Sequence, residues 1–216
     1  EDGARVYLTD TTSGSGVLAV MGPRARKLLG RVSDADFSNE AFPFASYQEI
    51  DVGYARALAL RVTYVGELGW ELYLPTEFMV PVFDRLLEAG ADLGLKLCGM
   101  HAMDSLRSEK GYRHWGHDIT PAETPLEAGL GFAVSFKKKA AFIGREALER
   151  QLETGLSQRL VHVMLQQPEP LMFHDETIYR DGVVAGRITS AAFGYGFERP
   201  VGMAYLETEN GMAGED

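Results

Sequence analysis

The hydrophobic period changes along this chain, and that change limits its fold more than any other feature. Between residues 16 and 110, period-two runs alternate with runs spaced at i, i+3 and i+4. Gly16–Met21 is a short apolar run expected to form a buried strand. Gly22-Pro23 precedes a helix whose apolar positions are Ala25, Leu28, Leu29 and Val32. Tyr47–Val52 and Ala55–Tyr64 are expected as strands, and Gly66 and Gly69 bracket a turn. In Trp70-Glu71-Leu72-Tyr73-Leu74 the residues alternate, with Trp70, Leu72 and Leu74 on one face and Glu71 and Tyr73 on the other. Thr76 is placed to cap a helix with Val80, Phe83, Leu86 and Leu87 inward and Gly90 at its end. His101–Lys110 is expected as a further helix with Ala102, Met103 and Leu106 inward. From Leu160 onward only strands are expected: 160–165, 176–180, 183–190 and 201–206, with a hairpin at Arg180-Asp181-Gly182-Val183. The pattern predicts an α+β chain: a split βαβ (ferredoxin-like) sandwich lobe followed by a small antiparallel β-barrel domain.

Three segments follow from this division. Residues 1–15 are expected to close a preceding lobe, with a strand at Arg5–Thr9. Residues 16–124 form the α+β lobe, and residues 125–216 form the β domain, ending in an acidic tail. The chain opens Glu1-Asp2-Gly3 without Met, and the strand-first start suggests the back part of a longer protein.

Charge and cysteine content narrow the function classes. Lys and Arg number 21 against 31 Asp and Glu, a net charge of −10. That balance argues against nonspecific binding to nucleic acid or anionic lipid. It leaves room for a small anionic ligand held by local bases. No stretch reaches the roughly 20 apolar residues a membrane span needs. The single cysteine, Cys98, rules out an internal disulfide framework, fits a reducing compartment, and its apolar neighbours suggest a buried, inert thiol.

Several chemistries lack their signature. There is no Gly-x-Ser-x-Gly elbow, no phosphate-binding Gly-x-x-x-x-Gly-Lys loop and no Gly-x-Gly-x-x-Gly between a strand and a helix. His114 and His117 lie in a loop beside Asp118, where polar loop residues are a better reading than metal ligands. Two segments stand out. In the first, Glu71 stands opposite Trp70 and Leu72 beyond a Gly-flanked turn. It either points to solvent, which the pattern alone favours, or lines a cavity. In a cavity it could accept two parallel N–H bonds from an amino-pyrimidine edge. In the second, Asp104 to Asp118, Arg, Tyr, Trp and Asp are dense for a loop leaving a helix, although Asp104, Arg107 and Glu109 also fit plain helical ion pairs.

These segments carry a resemblance. Tyr64-Val65-Gly66-Glu67-Leu68-Gly69-Trp70-Glu71-Leu72 resembles a signature of the glycine-cleavage T-protein (aminomethyltransferase) family. Gly99–Gly111, Gly116-His117-Asp118-Ile119, Thr124-Pro125-Leu126-Glu127-Ala128-Gly129-Leu130-Gly131 and Leu18–Pro23 resemble further motifs of that family, in order and in spacing. Within it, the segment from Ala102 to Gly116 looks like the C-terminal folate-binding half of sarcosine and dimethylglycine dehydrogenases. Met103 stands where free-standing members usually carry Arg.

The resemblance implies tetrahydrofolate-dependent transfer of an aminomethyl or methylene carbon, with folate and a small amine as ligands. It implies that Glu71 holds the pterin edge, that Tyr64 lines the same pocket, and that Arg107 or Arg113 replaces the contact absent at Met103. An FAD-dependent domain upstream in the same protein would oxidise the amine. No metal, nucleic-acid or membrane partner is implied. The location would be cytoplasmic, or the mitochondrial matrix in a eukaryote. The family's catalytic Asp lies upstream of every motif matched, and Asp10 sits in a different context. Two other readings stay open: a non-catalytic folate-binding or scaffold module, and a folate-dependent demethylase acting on another methyl donor.

Overall fold

The structure is a computed structural model that describes Gly3 and residues 5–208. The chain divides into two compact units, Glu1–Cys98 and Gly99–Asp216. The acidic tail expected beyond Glu207 lies almost wholly outside the described residues.

In the first unit, Ser15–Met21 (β1), Tyr47–Val52 (β2), Ala55–Leu60 (β3) and Gly69–Pro75 (β4) pair in the order β1-β4-β3-β2. Every pairing is antiparallel. The helix Ala25–Val32 (α1) follows β1, so the chain leaves one edge of the sheet and re-enters at the other; the helix Met79–Gly90 (α2) follows β4. This is an antiparallel α+β lobe, the class the sequence pattern predicts, with two strands rather than one between β1 and β2.

Period-two alternation decides which sheet face is covered. Trp70, Leu72 and Leu74 of β4, Ala57 and Ala59 of β3 and Ile50 and Val52 of β2 are buried in one core. Leu28 and Leu29 of α1 and Val82 and Leu86 of α2 belong to the same core. The four positions expected to face inward on α1 are all buried. Phe37 and Phe42 pack edge-on against the Trp70 ring, with centroids 5.2 and 5.9 Å away. At the start of β4, a Cβ on Gly69 would lie 2.6 Å from the Val20 carbonyl oxygen, so only glycine permits this approach to β1.

Three expectations in this unit change. Arg5–Thr9 forms no strand, and Val6, Tyr7 and Leu8 are exposed. No strand lies beside them among the described residues, and an alternating pattern without a ladder does not make a strand. Thr76 makes no cap hydrogen bond to the helix; its hydroxyl donates to the Ser13 carbonyl instead. On α2 the buried positions are Val82, Leu86 and Gly90 while Val80 is exposed and Phe83 and Leu87 are half-buried.

In the second unit, Gln158–Met164 (β5), Thr177–Arg180 (β6), Val183–Gly194 (β7) and Arg199–Glu207 (β8) form an antiparallel sheet in the order β5-β8-β7-β6. Asp181 and Gly182 adopt φ of 52° and 81° at the β6–β7 turn, both left-handed, as a two-residue hairpin with the native twist requires. Register shifts at Ile178/Tyr179 and Ile188/Ser190 mark bulges, which bend the strands. The helices are Met100–Glu109 (α3) and Arg145–Thr154 (α4). Among the described residues no helix is long and apolar enough to cross a membrane.

The division near residue 98 lies upstream of the expected one at 124/125, because α3 packs on β7 and β8. Its inward face is polar: Ser105, Arg107 and Ser108 are buried, whereas Ala102 is exposed. The Ser105 hydroxyl donates to the Phe193 carbonyl at 2.6 Å, and the small serines let the helix approach the strand closely. Cys98 is exposed rather than buried, since the irregular segment around it leaves Leu97 and Met100 exposed as well.

Asp118 anchors this unit. It is 0% exposed and accepts hydrogen bonds from Arg107 Nη1 at 2.7 Å, from the His114 N–H at 2.8 Å and from the Thr189 hydroxyl. Tyr205 donates to the Asp118 carbonyl at 3.0 Å, and burial, reinforced by nearby carboxylates, raises the Tyr205 pKa so that its proton stays on. An ion pair without water is tolerated only when its remaining hydrogen bonds are made, and here they are.

Two outcomes are expected in chemical denaturation. Leu72→Ala lowers unfolding free energy by about 2–5 kcal/mol, whereas Leu58→Ala, on the other face of the same sheet, costs less than about 1 kcal/mol. Asp118→Ala strands the buried Arg107 charge and costs about 3–5 kcal/mol; a loss below about 1 kcal/mol would show that the pair does not hold the second unit together.

Candidate functional site

The face of the first sheet opposite α1 and α2 carries a half-buried carboxylate. Pleating sends Val17 and Ala19 of β1, Glu71 and Tyr73 of β4, Leu58 and Leu60 of β3 and Tyr47 of β2 to this face. The register sets Glu71 between Ala19 and Leu60, and Tyr73 between Val17 and Leu58. Val17 and Leu58 are 47% and 40% exposed. The same face carries Glu49 and Asp51 of β2 and Arg56 of β3, which pair with one another near the sheet edge. Glu71 differs from them in lying on a strand paired on both sides, between apolar cross-strand neighbours.

Glu71 is half-buried, so it is neither fully solvated nor on a sheet edge. It makes no ion pair among the described residues. Among the described residues its one hydrogen bond comes from the Tyr73 hydroxyl, which donates to Oε2 at 2.7 Å. That bond, with burial and the nearby negative charge, raises the Tyr73 pKa and keeps the phenol a donor. A half-buried carboxylate without a cation is costly unless donors reach it. Glu71 therefore has unused acceptor capacity beside apolar surface, and the small Ala19 leaves the space next to it open.

Tyr64 lies half-buried in the loop joining β3 to β4, where the Leu68 carbonyl accepts from the Gly22 N–H at 2.8 Å. Glu71 and Tyr64 therefore belong to one unit. Arg107 and Arg113 belong to the other, and both are engaged there. Arg107 is 4% exposed, and its guanidinium donates to Asp104, Asp118, Ser190 and the Tyr112 carbonyl. Arg113 donates to the carbonyls of Ala128 and Gly111 at 3.0 and 2.9 Å. The geometry commits Arg107 to holding the fold.

The motif residues after Asp118 are also tied to one another. The Thr124 N–H donates to Glu127 Oε2 at 2.8 Å, and the Glu127 carbonyl accepts from the Leu160 N–H at 2.8 Å, joining this loop to β5. The His114 and His117 rings lie 4.5 Å apart. Among the described residues no group of three or more His, Cys, Asp or Glu side chains converges as a metal site would need.

Sequence reasoning missed two of these contacts. Period-two spacing placed Tyr73 beside Glu71 but could not show that the phenol reaches the carboxylate. The Asp118 cluster left no local trace, because Thr189 and Tyr205 lie 71 and 87 positions away.

Comparison with known proteins assigns the whole arrangement. Residues 1–138 match the GCVT N-terminal domain, and residues 158–216 match the glycine cleavage T-protein C-terminal barrel domain. The chain is 45% identical over 213 residues to 4-methylaminobutanoate oxidase (formaldehyde-forming) of Paenarthrobacter nicotinovorans, covering 99% of this chain and 26% of that protein. It is 42% identical over 207 residues to mitochondrial sarcosine dehydrogenase of Mus musculus, covering 96% of this chain and 22% of that protein. The glycine cleavage system aminomethyltransferase T from Bartonella henselae has a similar structure, with a TM-score of 0.78 and 32% identity over 89% of this chain and 52% of that one. The chain thus spans about a quarter of the length of these curated relatives and about half of the solved chain. With one family signature over most of its length and a second over its strand-rich part, the chain belongs to the glycine-cleavage T-protein (GCVT) family.

Proposed function

We propose that this chain binds tetrahydrofolate in a protein that moves a one-carbon unit from an amine to that folate. The observation that carries the proposal is Glu71: a half-buried carboxylate without an ion pair among the described residues, between the apolar cross-strand neighbours Ala19 and Leu60, in a chain of this family. Its acceptor-only chemistry suits the paired N–H donors of a 2-amino-4-oxo-pyrimidine edge. Val17, Leu58 and Leu60 supply apolar surface suited to a flat heterocycle, and Tyr64 contributes from the adjoining loop.

Tetrahydrofolate, when bound, supplies the nitrogen nucleophile that receives the carbon. The protein's share is orientation and exclusion of water. Glu71 would hold the pterin edge and fix its orientation. The apolar residues around it would lower the local dielectric and strengthen each hydrogen bond to the ring. The amine would be oxidised by an FAD-dependent domain of the same protein, in the manner of a sarcosine or dimethylglycine dehydrogenase. Two relatives are named as an amine oxidase and a sarcosine dehydrogenase, and both are several times longer than this chain, which supports that arrangement.

A second reading rests on the name of one relative. The 4-methylaminobutanoate oxidase is described as formaldehyde-forming, so its carbon is released as the aldehyde. A related protein could keep the T-protein fold as a non-catalytic module and release formaldehyde in the same way.

In the full-length protein, Glu71→Ala is expected to weaken tetrahydrofolate binding at least about tenfold by calorimetry, since a lost charged hydrogen-bond partner is worth 1.4 kcal/mol or more. Under turnover with a methylated amine, tetrahydrofolate should suppress free formaldehyde in the wild type and far less in Glu71→Ala. Unchanged folate affinity would remove Glu71 from the site, and equal formaldehyde release by both proteins would favour the scaffold reading.

A further inference from the structure

We propose that Tyr73 is a positioning residue for Glu71: its phenol holds the carboxylate in the one orientation that presents both oxygens to a ligand with two parallel N–H donors. The inference rests on the folate reading of this site and adds to it a residue that the family motifs do not single out.

The terminal torsion of a glutamate is broad, so a carboxylate on an open sheet face samples many orientations unless something holds it. The register leaves little to do so. The cross-strand neighbours of Glu71 are Ala19 and Leu60, and those of Tyr73 are Val17 and Leu58, and none of these side chains has a polar atom. No cation pairs with Glu71 among the described residues. Among the described residues the Tyr73 hydroxyl, donating to Oε2 at 2.7 Å, is the one group holding the carboxylate.

The pair sits at i and i+2 on one face of β4, a strand hydrogen-bonded to β1 and β3 on either side. Backbone motion there is restricted on both flanks, which keeps the two side chains within reach of one another. The hydrogen bond to Glu71 and partial burial both raise the Tyr73 pKa, which keeps the phenol a donor across the neutral range.

Stoichiometry then sets the selectivity. The phenol occupies one acceptor position of Oε2, leaving another on that oxygen and two on Oε1. Both oxygens remain available side by side, and neither can donate. The site therefore selects a ring edge with two adjacent N–H groups, such as an amino-lactam, over an edge that presents an acceptor.

Two measurements on the full-length protein test this. The first needs no folate. With 13C-labelled tyrosine, the Tyr73 resonance is assigned by its loss in Tyr73→Phe and titrated in the wild type and in Glu71→Gln. Tyr73 is expected to ionise at lower pH in Glu71→Gln, and an unchanged titration would overturn the proposal. The second is a double-mutant cycle for tetrahydrofolate binding by calorimetry, with the thermal midpoint as a folding control. Tyr73→Phe should weaken binding about tenfold when Glu71 is present and less than about twofold in Glu71→Gln, because a residue acting only through another has no effect without it. Equal losses in both backgrounds would show an independent role and sink the proposal. If no variant binds tetrahydrofolate while the tyrosine titration remains coupled to Glu71, the folate reading fails and the Tyr73–Glu71 contact stands.

Discussion

The one-sided packing of β4 is the constraint on which the first unit depends. Trp70, Leu72 and Leu74 point into the core beneath α1 and α2, and the pleat then sends Glu71 and Tyr73 to the opposite face. A shift of one residue would bury the carboxylate and expose the tryptophan, so burial of the core residues specifies the register at the same time as it presents the candidate site. Gly69 supports this from below, since β1 passes too close for any side chain there. Core and site are two faces of one strand.

The second unit is held by different physics. Its apolar clusters are small: Leu160, Met203 and Tyr205 in one, Met172, Ile188 and Ala204 in another. The buried Arg107–Asp118 pair, with Thr189, Ser190 and Tyr205 around it, joins α3 and the loop after it to β7 and β8. Such a cluster adds geometric specificity, because a guanidinium and a carboxylate satisfy one another only at defined angles. The Gly116–Ile119 and Thr124–Gly131 segments, which most clearly carry the family resemblance, are tied into this unit by hydrogen bonds. Glu71, in the other unit, keeps acceptor capacity that no group found among the described residues takes up beyond Tyr73.

The elements that sequence reasoning located well were those with a clear period. The four inward positions of α1, the alternation of β4 and the Asp181-Gly182 hairpin are each set by neighbours a few residues away, so a local pattern suffices. The failures share a cause as well. Arg5–Thr9 alternates like a strand but has no partner strand beside it among the described residues. On α3 the buried face consists of serines and an arginine, which an apolar stripe could not reveal, because close approach and hydrogen bonding hold that helix. Cys98 has apolar neighbours in sequence that are themselves exposed. In each case the outcome depended on residues far away in the chain.

For function the division is similar. Sequence alone pointed to the family through ordered motifs, marked Glu71 as a carboxylate on the strand face opposite Trp70 and Leu72, and argued against nonspecific binding to nucleic acid or anionic lipid through the net charge of −10. Only the tertiary structure decided that Glu71 is half-buried on a doubly paired strand, that Tyr73 reaches it, and that Arg107 is engaged by the fold. The physical reason is that a side chain's residue type sets what it can donate or accept. Whether that capacity remains for a ligand depends on which distant groups have already taken it.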